Sequence, residues 1–206
     1  MRYAMDDERS RVRESVSANP YLLDVFTSSV RDVVADAGGW IVDRVLAGWT
    51  VTVITDAEDE GRVAQILGTK VVVRSEIAGQ ARPQPYGIAL TSTLYGTDRR
   101  LRKCVSDALS SRRTEISIIG CESEGEWDPR LHPVAYRLSD AAQAFKMHAL
   151  AAAGLPYSSV GGTEQFLGAA LPARGQTSAG KRRDRRRSRG NERTLLPDCE
   201  RTASSS

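Results

Sequence analysis

The chain has 206 residues, a formal net charge of +3 and an aromatic content of 6%. No run of about 18 apolar residues occurs, which excludes a membrane-spanning helix, and the polar segment from Met1 to Glu14 lacks the apolar core of a signal peptide. Arg outnumbers Lys by 25 to 4, a bias typical of GC-rich bacteria, so we expect a bacterial cytoplasmic protein with no membrane partner.

The first part of the chain is predicted to be helical. Residues 1–18 are polar and are expected to form a flexible lead-in. Asn19 and Pro20 then supply a helix cap and a proline suited to a first helical turn. The apolar residues that follow fall on one stripe at helical periodicity: Leu22, Leu23, Phe26, Val30, Val33, Val34 and Ala37. We therefore predict a helix that ends or bends at Gly38–Gly39 and a second, short helix from Trp40 to Ala47.

Four apolar or β-branched runs predict strands in the middle of the chain. The clearest covers residues 49–55, where β-branched residues occur almost throughout. The other three cover residues 70–73, 87–91 and 115–119, and such short apolar runs are typical of a buried sheet. A helix-compatible segment from Arg62 to Leu67 separates the first two strands, and the Gly- and Pro-containing residues 75–86 are interpreted as a connecting loop.

Thr97 is predicted to cap a helix over residues 98–111. Its apolar residues recur at the spacing of a helix face: Leu101, Cys104, Val105, Ala108 and Leu109. A fifth strand is expected at Val134–Arg137. Ser139 then caps a final helix from Asp140 to Ala153, whose predicted inner face consists of Ala142, Phe145, Ala149 and Ala153.

Beyond this helix the chain turns rich in Gly, Ser and Ala, and order is expected to fade near Leu167. Strands that alternate with helices predict an α/β fold. We expect a single domain with a mostly parallel sheet of four to five strands, flanked by helices.

The C-terminal segment differs from the rest of the chain in charge. From residue 171 on there are ten Lys or Arg and four Asp or Glu, with no aromatic residue, whereas residues 1–170 have a small excess of acidic residues. Such a segment cannot bury enough apolar surface to fold alone. We therefore divide the chain into the lead-in, an α/β domain over residues 19–168 and a disordered Arg-rich tail over residues 169–206.

A dense cluster of cations in this tail predicts weak, sequence-independent contact with nucleic acid or another polyanion. The cluster consists of Lys181, Arg182, Arg183, Arg185, Arg186, Arg187 and Arg189. No aromatic residue lies between them, so base stacking is not supported. A passive solvated terminus and an unselected extension of the gene are alternative interpretations of the same residues.

The sequence predicts no cofactor and no metal centre. It contains no phosphate-binding loop, no dinucleotide-binding glycine motif and no zinc-protease helix motif. The three cysteines, Cys104, Cys121 and Cys199, form no C-x-x-C pair, which favours reduced thiols over a disulfide or zinc site.

Four residues form an alternative candidate pocket. Asp56 and Cys121 each follow a predicted strand, and open α/β sheets bind ligands at the carboxyl ends of their strands. With the acidic residues after it, Asp56 could bind a divalent cation, or it could belong to an acidic surface loop. Cys121 would need a base to act as a nucleophile, and His132 is a candidate. Lys146 lies near the apolar stripe of the final helix, a position that snorkelling of its stem also explains.

These features support three functional hypotheses. The leading one is a non-catalytic α/β module that binds an unknown protein or other macromolecule, with the tail adding affinity for polyanions. The alternative is a small-ligand or metal-assisted enzyme with its site around Asp56 and Cys121. A third is a homodimer built on an exposed face of the first two helices.

Overall fold

The computed structural model describes residues 21–56, 61–80, 82–121, 125–157 and 160–169. Within these ranges the strands are β1 (Leu22–Thr27), β2 (Thr50–Thr55), β3 (Lys70–Val73), β4 (Gly87–Thr91), β5 (Glu115–Ile119), β6 (His132–Arg137) and β7 (Thr163–Ala169). The helices are α1 (Val30–Leu46), α2 (Gly61–Ile66), α3 (Arg74–Ile77), α4 (Ser92–Thr97), α5 (Arg99–Ser111) and α6 (Asp140–Ala152).

The strands form one sheet in the order β3-β2-β1-β4-β5-β7-β6. The first five strands in this order are parallel, and β7 runs antiparallel to both β5 and β6. The chain is thus a mixed α/β single-domain protein with helices flanking a sheet, as predicted. The predicted four to five strands were too few, because β1 and β7 were not recognised.

The segment predicted to begin the first helix is the strand β1. It lies between β2 and β4 in the sheet, and Leu23 and Val25 are buried against one face while Phe26 packs on the other. A strand covered on both faces carries consecutive apolar residues rather than alternation, and in β1 this apolar run is interrupted by Asp24, which is buried in an ion pair with Arg82. That run, joined to the apolar residues of α1, fits a helical stripe by coincidence.

Helix α1 begins at Val30 and continues through Gly38–Gly39, so the predicted break there is wrong. Ser29 is its N-cap and accepts a hydrogen bond from the backbone N–H of Arg31. Gly39 allows a close approach to Leu138: a Cβ atom built on Gly39 would lie 2.5 Å from Leu138 Cδ1. The glycines therefore serve packing against the segment before α6 and do not end the helix.

The remaining elements follow the predictions more closely. Strands β2 to β5 and helices α2, α5 and α6 lie where the sequence indicates, and Ser139 caps α6 by accepting from the N–H of Ala142. The short helices α3 and α4 were missed, and the cap of α5 is Asp98 rather than Thr97. Phe145, predicted to face inward, is 45% exposed, whereas its neighbour Lys146 is buried.

Two apolar cores cover the two faces of the sheet. One lies under α1, α2 and α6 and contains Val25, Ile41 and Val53. The other lies under α4 and α5 and contains Leu90 and Ile118. Among the described residues, no helix is long and apolar enough to cross a membrane.

Candidate active site

The sheet changes its winding direction between β1 and β4. From β1 the chain passes through α1 to β2 on one side, and from β4 it passes through α5 to β5 on the other. Helices α1 and α5 cover opposite faces of the sheet, so the segments that leave β1 and β4 diverge. Such a switch point opens a crevice at the carboxyl ends of the strands, where α/β proteins bind ligands.

A cavity of about 660 Å³ occupies this crevice. It lies between the first two turns of α1, the ends of β4 and β5, and the segment around Trp127. Its wall is formed by Asp32, Asp36, Thr91, Ser92, Thr93, Tyr95, Gly96, Arg102, Ile119, Gly120, Gly125, Glu126 and Trp127. The cavity is large enough for a small organic ligand.

Two carboxylates project from α1 at this cavity. Asp32 and Asp36 are four residues apart and so lie on the same side of the helix, one turn from each other. Gly120 leaves room for Asp36: a Cβ atom built on Gly120 would lie only 2.6 Å from Asp36 Oδ2. Desolvation raises the pKa of Asp36, Lys146 opposes this rise, and the neighbouring charge of Asp32 adds to it.

Hydroxyl groups line the floor of the cavity at the end of β4. Ser92 Oγ donates a hydrogen bond to the backbone oxygen of Gly120 at 2.6 Å. Thr91 is 4% exposed, and its Oγ1 has no hydrogen-bond partner among the described residues. A buried hydroxyl without a partner is costly, and this oxygen is closed to the solvent of the cavity.

The opposite wall is aromatic and includes the cation Arg102. The rings of Tyr95 and Trp127 lie 5.4 Å apart, centroid to centroid. The guanidinium of Arg102 donates to the backbone oxygens of Tyr95 and Gly96, at 3.1 and 2.5 Å, and lies 5.8 Å from the Tyr95 ring centroid. These contacts hold Arg102 against the chain that forms the cavity wall.

A buried ion pair fixes the part of α1 that follows Asp36. Lys146 Nζ on α6 lies 2.7 Å from Glu164 Oε1 on β7. The Glu164 carboxylate also accepts the backbone N–H groups of Gly39 and Trp40, at 2.9 and 2.7 Å. Burial raises the pKa of Glu164, an effect that Lys146 and the two N–H groups oppose.

Of the four residues of the predicted pocket, none lines this cavity. Asp56 has 60% of its side chain exposed and pairs with Arg74 Nη2 at 3.1 Å. Cys121 follows the cavity residue Gly120, but its Sγ donates to the backbone oxygen of Ile118 at 3.4 Å. Desolvation raises the pKa of this thiol, an effect that a hydrogen bond with the Leu167 backbone opposes and the charge of Asp36 reinforces, so Cys121 is held protonated.

The structure does not bring Cys121 and His132 together. His132 begins β6 at the edge of the sheet, and β7 lies between β6 and β5. Through Gly168, His132 is aligned with Ser117 on β5, which lies two strand spacings or about 10 Å away. Ser117 in turn precedes Cys121 by four residues. Within the described ranges, no group of three His, Cys, Asp or Glu side chains is placed to hold a metal ion.

The predicted polyanion-binding cluster from Lys181 to Arg189 lies outside the described residues and stays a prediction.

The residues that line the cavity were not identified from the sequence, because β1 was interpreted as part of a helix. With residues 19–37 interpreted as one helix, Asp32 and Asp36 lay on its solvent face. Had β1 been recognised, Ser29 would have marked a helix start after a central strand, and both carboxylates would have been placed at that strand's carboxyl end.

No family model matches the chain, and no curated protein matches it significantly. Among solved structures, the chain is similar to the A40926 pseudoaglycone deacetylase Dbv21, with 13% identity over 75% of this chain and 99% of that one, at a TM-score of 0.50. A deacetylase–teicoplanin complex from teicoplanin biosynthesis is 9% identical over 74% and 99%, with a TM-score of 0.49. The hydratase GalB from Pseudomonas putida KT2440, which acts on 4-carboxy-2-hydroxymuconate, is 12% identical over 82% and 100%, with a TM-score of 0.46.

At 13% identity the likeness to Dbv21 is one of fold. It contradicts the leading hypothesis of a non-catalytic macromolecule-binding module, because the fold shared is that of an enzyme. The alternative hypothesis, a small-ligand enzyme with its site at the strand ends, agrees better with this finding.

Proposed function

We propose that the protein is an enzyme that acts on a small polar molecule in this cavity, with Asp36 as general acid–base. The observation that carries the proposal is the position of the Asp36 carboxylate, on the wall of a cavity at the switch point of an α/β sheet. Ligands of such folds bind at this place.

Asp36 is suited to proton transfer by its surroundings. A general base works best when its pKa approaches the working pH, and desolvation raises the pKa of this carboxyl. Asp32, one turn away on α1, reinforces the rise. Ser92 is less suited to act as a nucleophile, because its hydroxyl proton is donated to the Gly120 carbonyl rather than to a base.

Acyl hydrolysis is the reaction class that we propose, since the fold is shared with a deacetylase. Fold alone does not determine a reaction, so support for this class comes by analogy. Asp36 would take a proton from water while the water oxygen bonds to the acyl carbon. The bond from the acyl carbon to the leaving nitrogen then breaks, the proton passes to that nitrogen, and a carboxylic acid and an amine leave.

Acetate release tests this function. The full chain is incubated with a panel of N-acetylated amines and acetyl esters, and acetate is quantified by NMR. We expect release above the uncatalysed rate for at least one compound, and a loss of about 100-fold or more in Asp36→Asn, the scale of general acid–base catalysis.

The matched control is Asp107→Asn. Asp107 is a carboxylate on α5 that pairs with Lys103 on an exposed face and is not among the cavity residues. This variant should release acetate at the wild-type rate. Undiminished release by Asp36→Asn, or no release from any compound, would contradict the proposed reaction.

A further inference from the structure

The solvent-facing side of α5 is strongly basic. In the stretch from residue 99 to residue 113, Asp107 is the one carboxylate against six cations. Arg102 lies at the wall of the cavity. The other five are exposed and form a surface outside the cavity, which we call the basic face: Arg99, Arg100, Lys103, Arg112 and Arg113. The apolar residues of α5 are buried on its other side, against the sheet.

A cation from another segment extends the basic face. Arg130 donates from Nη1 to Ser110 Oγ at 2.9 Å and from Nη2 to Ser106 Oγ at 3.1 Å. Ser106 and Ser110 follow Lys103 by three and seven residues, so they lie on the same side of the helix. The guanidinium of Arg130 therefore lies along the basic face, where Asp128 pairs with it at 2.6 Å.

The stability of α5 does not explain these charges. Arg99 and Arg100 occupy the first turn, which holds no acidic residue, and cations near a helix N-terminus oppose the helix dipole. Arg99 and Lys103 are four residues apart, a spacing at which like charges repel. Lys103 is offset by its pair with Asp107, but such exposed pairs contribute little in water. An anionic partner would relieve the repulsion.

The basic C-terminal segment leaves the described fold beside this surface. Strand β7 ends at Ala169, which lies opposite Ile116 near the start of the neighbouring strand β5. Ile116 follows Arg113 by three residues, so the chain continues past Ala169 from the end of the sheet at which α5 also ends. The fold thus brings the beginning of the Arg-rich segment close to the basic face, although α5 lies far from it in the sequence.

We propose that the basic face binds the phosphate backbone of duplex nucleic acid without reading its sequence. A duplex carries one negative charge per about 1.7 Å of its axis. Helix α5 has 13 residues and is about 20 Å long, so cations at its two ends can contact separate phosphates. Most of these cations are arginines, whose guanidinium binds phosphate through two parallel hydrogen bonds.

A lipid surface fits this side of the protein less well. Helices that bind membranes insert apolar side chains beside their cations. Among the described residues, none of the large apolar side chains that are exposed lies on α5. The proposal goes beyond the proposed function, because the basic face lies outside the cavity and adds a binding surface to the enzyme.

Binding of a short, mixed-sequence duplex DNA, followed by fluorescence anisotropy at low salt, tests the proposal. The full chain is used, with the seven cations between Lys181 and Arg189 replaced by glutamine so that they do not contribute. We expect this protein still to bind the duplex, with an affinity that falls steeply as salt is raised. Absence of binding would overturn the proposal.

Two sets of substitutions in this background decide where the duplex binds. The combination of Arg99→Gln, Lys103→Gln and Arg113→Gln should lower the affinity about tenfold or more and make the log–log salt slope shallower by about 2 to 3, since each lost phosphate contact contributes about 0.9. The control combines Arg31→Gln, Arg62→Gln and Arg137→Gln, which remove the same charge from exposed positions away from α5. It should change the affinity less than about twofold, and an equal loss in both would overturn the proposal.

Two further measurements complete the test. The Tm of the α5 variant should be close to that of its parent, because the substituted cations are exposed, and a large loss would show that they serve the fold and not a partner. Vesicles that contain phosphatidylserine should bind more weakly than the duplex, and the opposite order would overturn the proposal. Acetate release should be the same in the α5 variant as in its parent, so the proposed function and this inference can each fail without the other.

Discussion

Lys146 and Glu164 form an ion pair of 2.7 Å in the interior of the fold, with side-chain exposures of 9% and 3%. The pair links α6 to β7, and the same carboxylate binds the backbone of α1 at Gly39 and Trp40. It therefore holds three elements together directly behind the turn of α1 that carries Asp36. We interpret both residues as positioning residues for the α1 wall of the cavity.

Lys146→Met should destabilise the protein strongly. Removal of one partner leaves the Glu164 carboxylate buried without its ammonium, which typically costs about 3–5 kcal/mol. Lys103→Met is the matched control, because Lys103 forms an exposed i,i+4 pair with Asp107, worth only about 0.3–0.5 kcal/mol. Chemical denaturation at neutral pH measures both changes.

The loss in Lys146→Met should also depend on pH. The pKa of Glu164 is already raised in the folded protein, and removal of Lys146 raises it further. A folded pKa above the unfolded one means that stability falls as pH rises from the unfolded value through the folded one. The variant should therefore approach wild-type stability in acid, and a loss of the same size at every pH would contradict a charged Glu164.

The two adjacent glycines of α1 should respond oppositely to alanine. A Cβ on Gly38 would find its nearest neighbour, Lys146 Cγ, at an ordinary 3.5 Å, and alanine is favoured over glycine in a helix by about 1 kcal/mol. A Cβ on Gly39 would lie 2.5 Å from a methyl group of the buried Leu138, and overpacking of this kind costs about 1–3 kcal/mol. Thermal unfolding should show Gly38→Ala at or above the wild-type Tm and Gly39→Ala below it. The opposite order would contradict the close contact between Gly39 and Leu138.

This glycine pair shows where prediction of the fold from the sequence failed. Gly38–Gly39 is indistinguishable from a helix stop in the sequence, because the contact that requires Gly39 comes from Leu138, about 100 residues later. Strand β1 was missed because burial on both faces removes the alternation that marks a strand. Strands β2 to β5 were predictable, since their β-branched runs are local signals.

The site was less predictable than the fold. The rule that α/β sheets bind ligands at strand ends was applied to Asp56 at the end of β2, which lies away from the switch point. Which strand ends form the crevice depends on strand order, and β1 has to be recognised before that order can be inferred. Thr91 carries no sequence signal, because only the structure shows that its hydroxyl lacks a partner among the described residues.

Thr91→Val should not destabilise the protein. Because the Thr91 hydroxyl is buried without a partner in the described chain, its removal should leave the Tm unchanged or raise it. Thr114→Val is the control: this equally buried hydroxyl contacts Gln84 Nε2 and the Pro85 carbonyl oxygen, each at 3.4 Å, so its loss should cost about 1 kcal/mol. A drop in Tm for Thr91→Val as large as that for Thr114→Val would show that the Thr91 hydroxyl is hydrogen-bonded in the folded protein.

The ionisation of Asp36 should control the pH dependence of the cavity. Desolvation raises its pKa above the ordinary aspartate value. The charge of Lys146 opposes this rise, and the charge of Asp32 adds to it. Turnover needs the ionised form, so it should fall in acid at a higher pH than an ordinary aspartate would give. Titration of the Asp36 side-chain carboxyl by ¹³C NMR measures the same pKa without a substrate.

Asp32→Asn tests the cause of that shift. Loss of the neighbouring negative charge should lower the pKa of Asp36 and move the acid limb of turnover to lower pH, whereas Asp107→Asn should leave both unchanged. The raised pKa also affects stability. Because the pKa of Asp36 is higher in the folded than in the unfolded protein, its ionisation lowers the free energy of unfolding as pH rises between these two values. Asp36→Asn should remove this pH dependence of stability. An Asp36 carboxyl that titrates at the ordinary value in the wild-type protein would contradict its assignment as general acid–base.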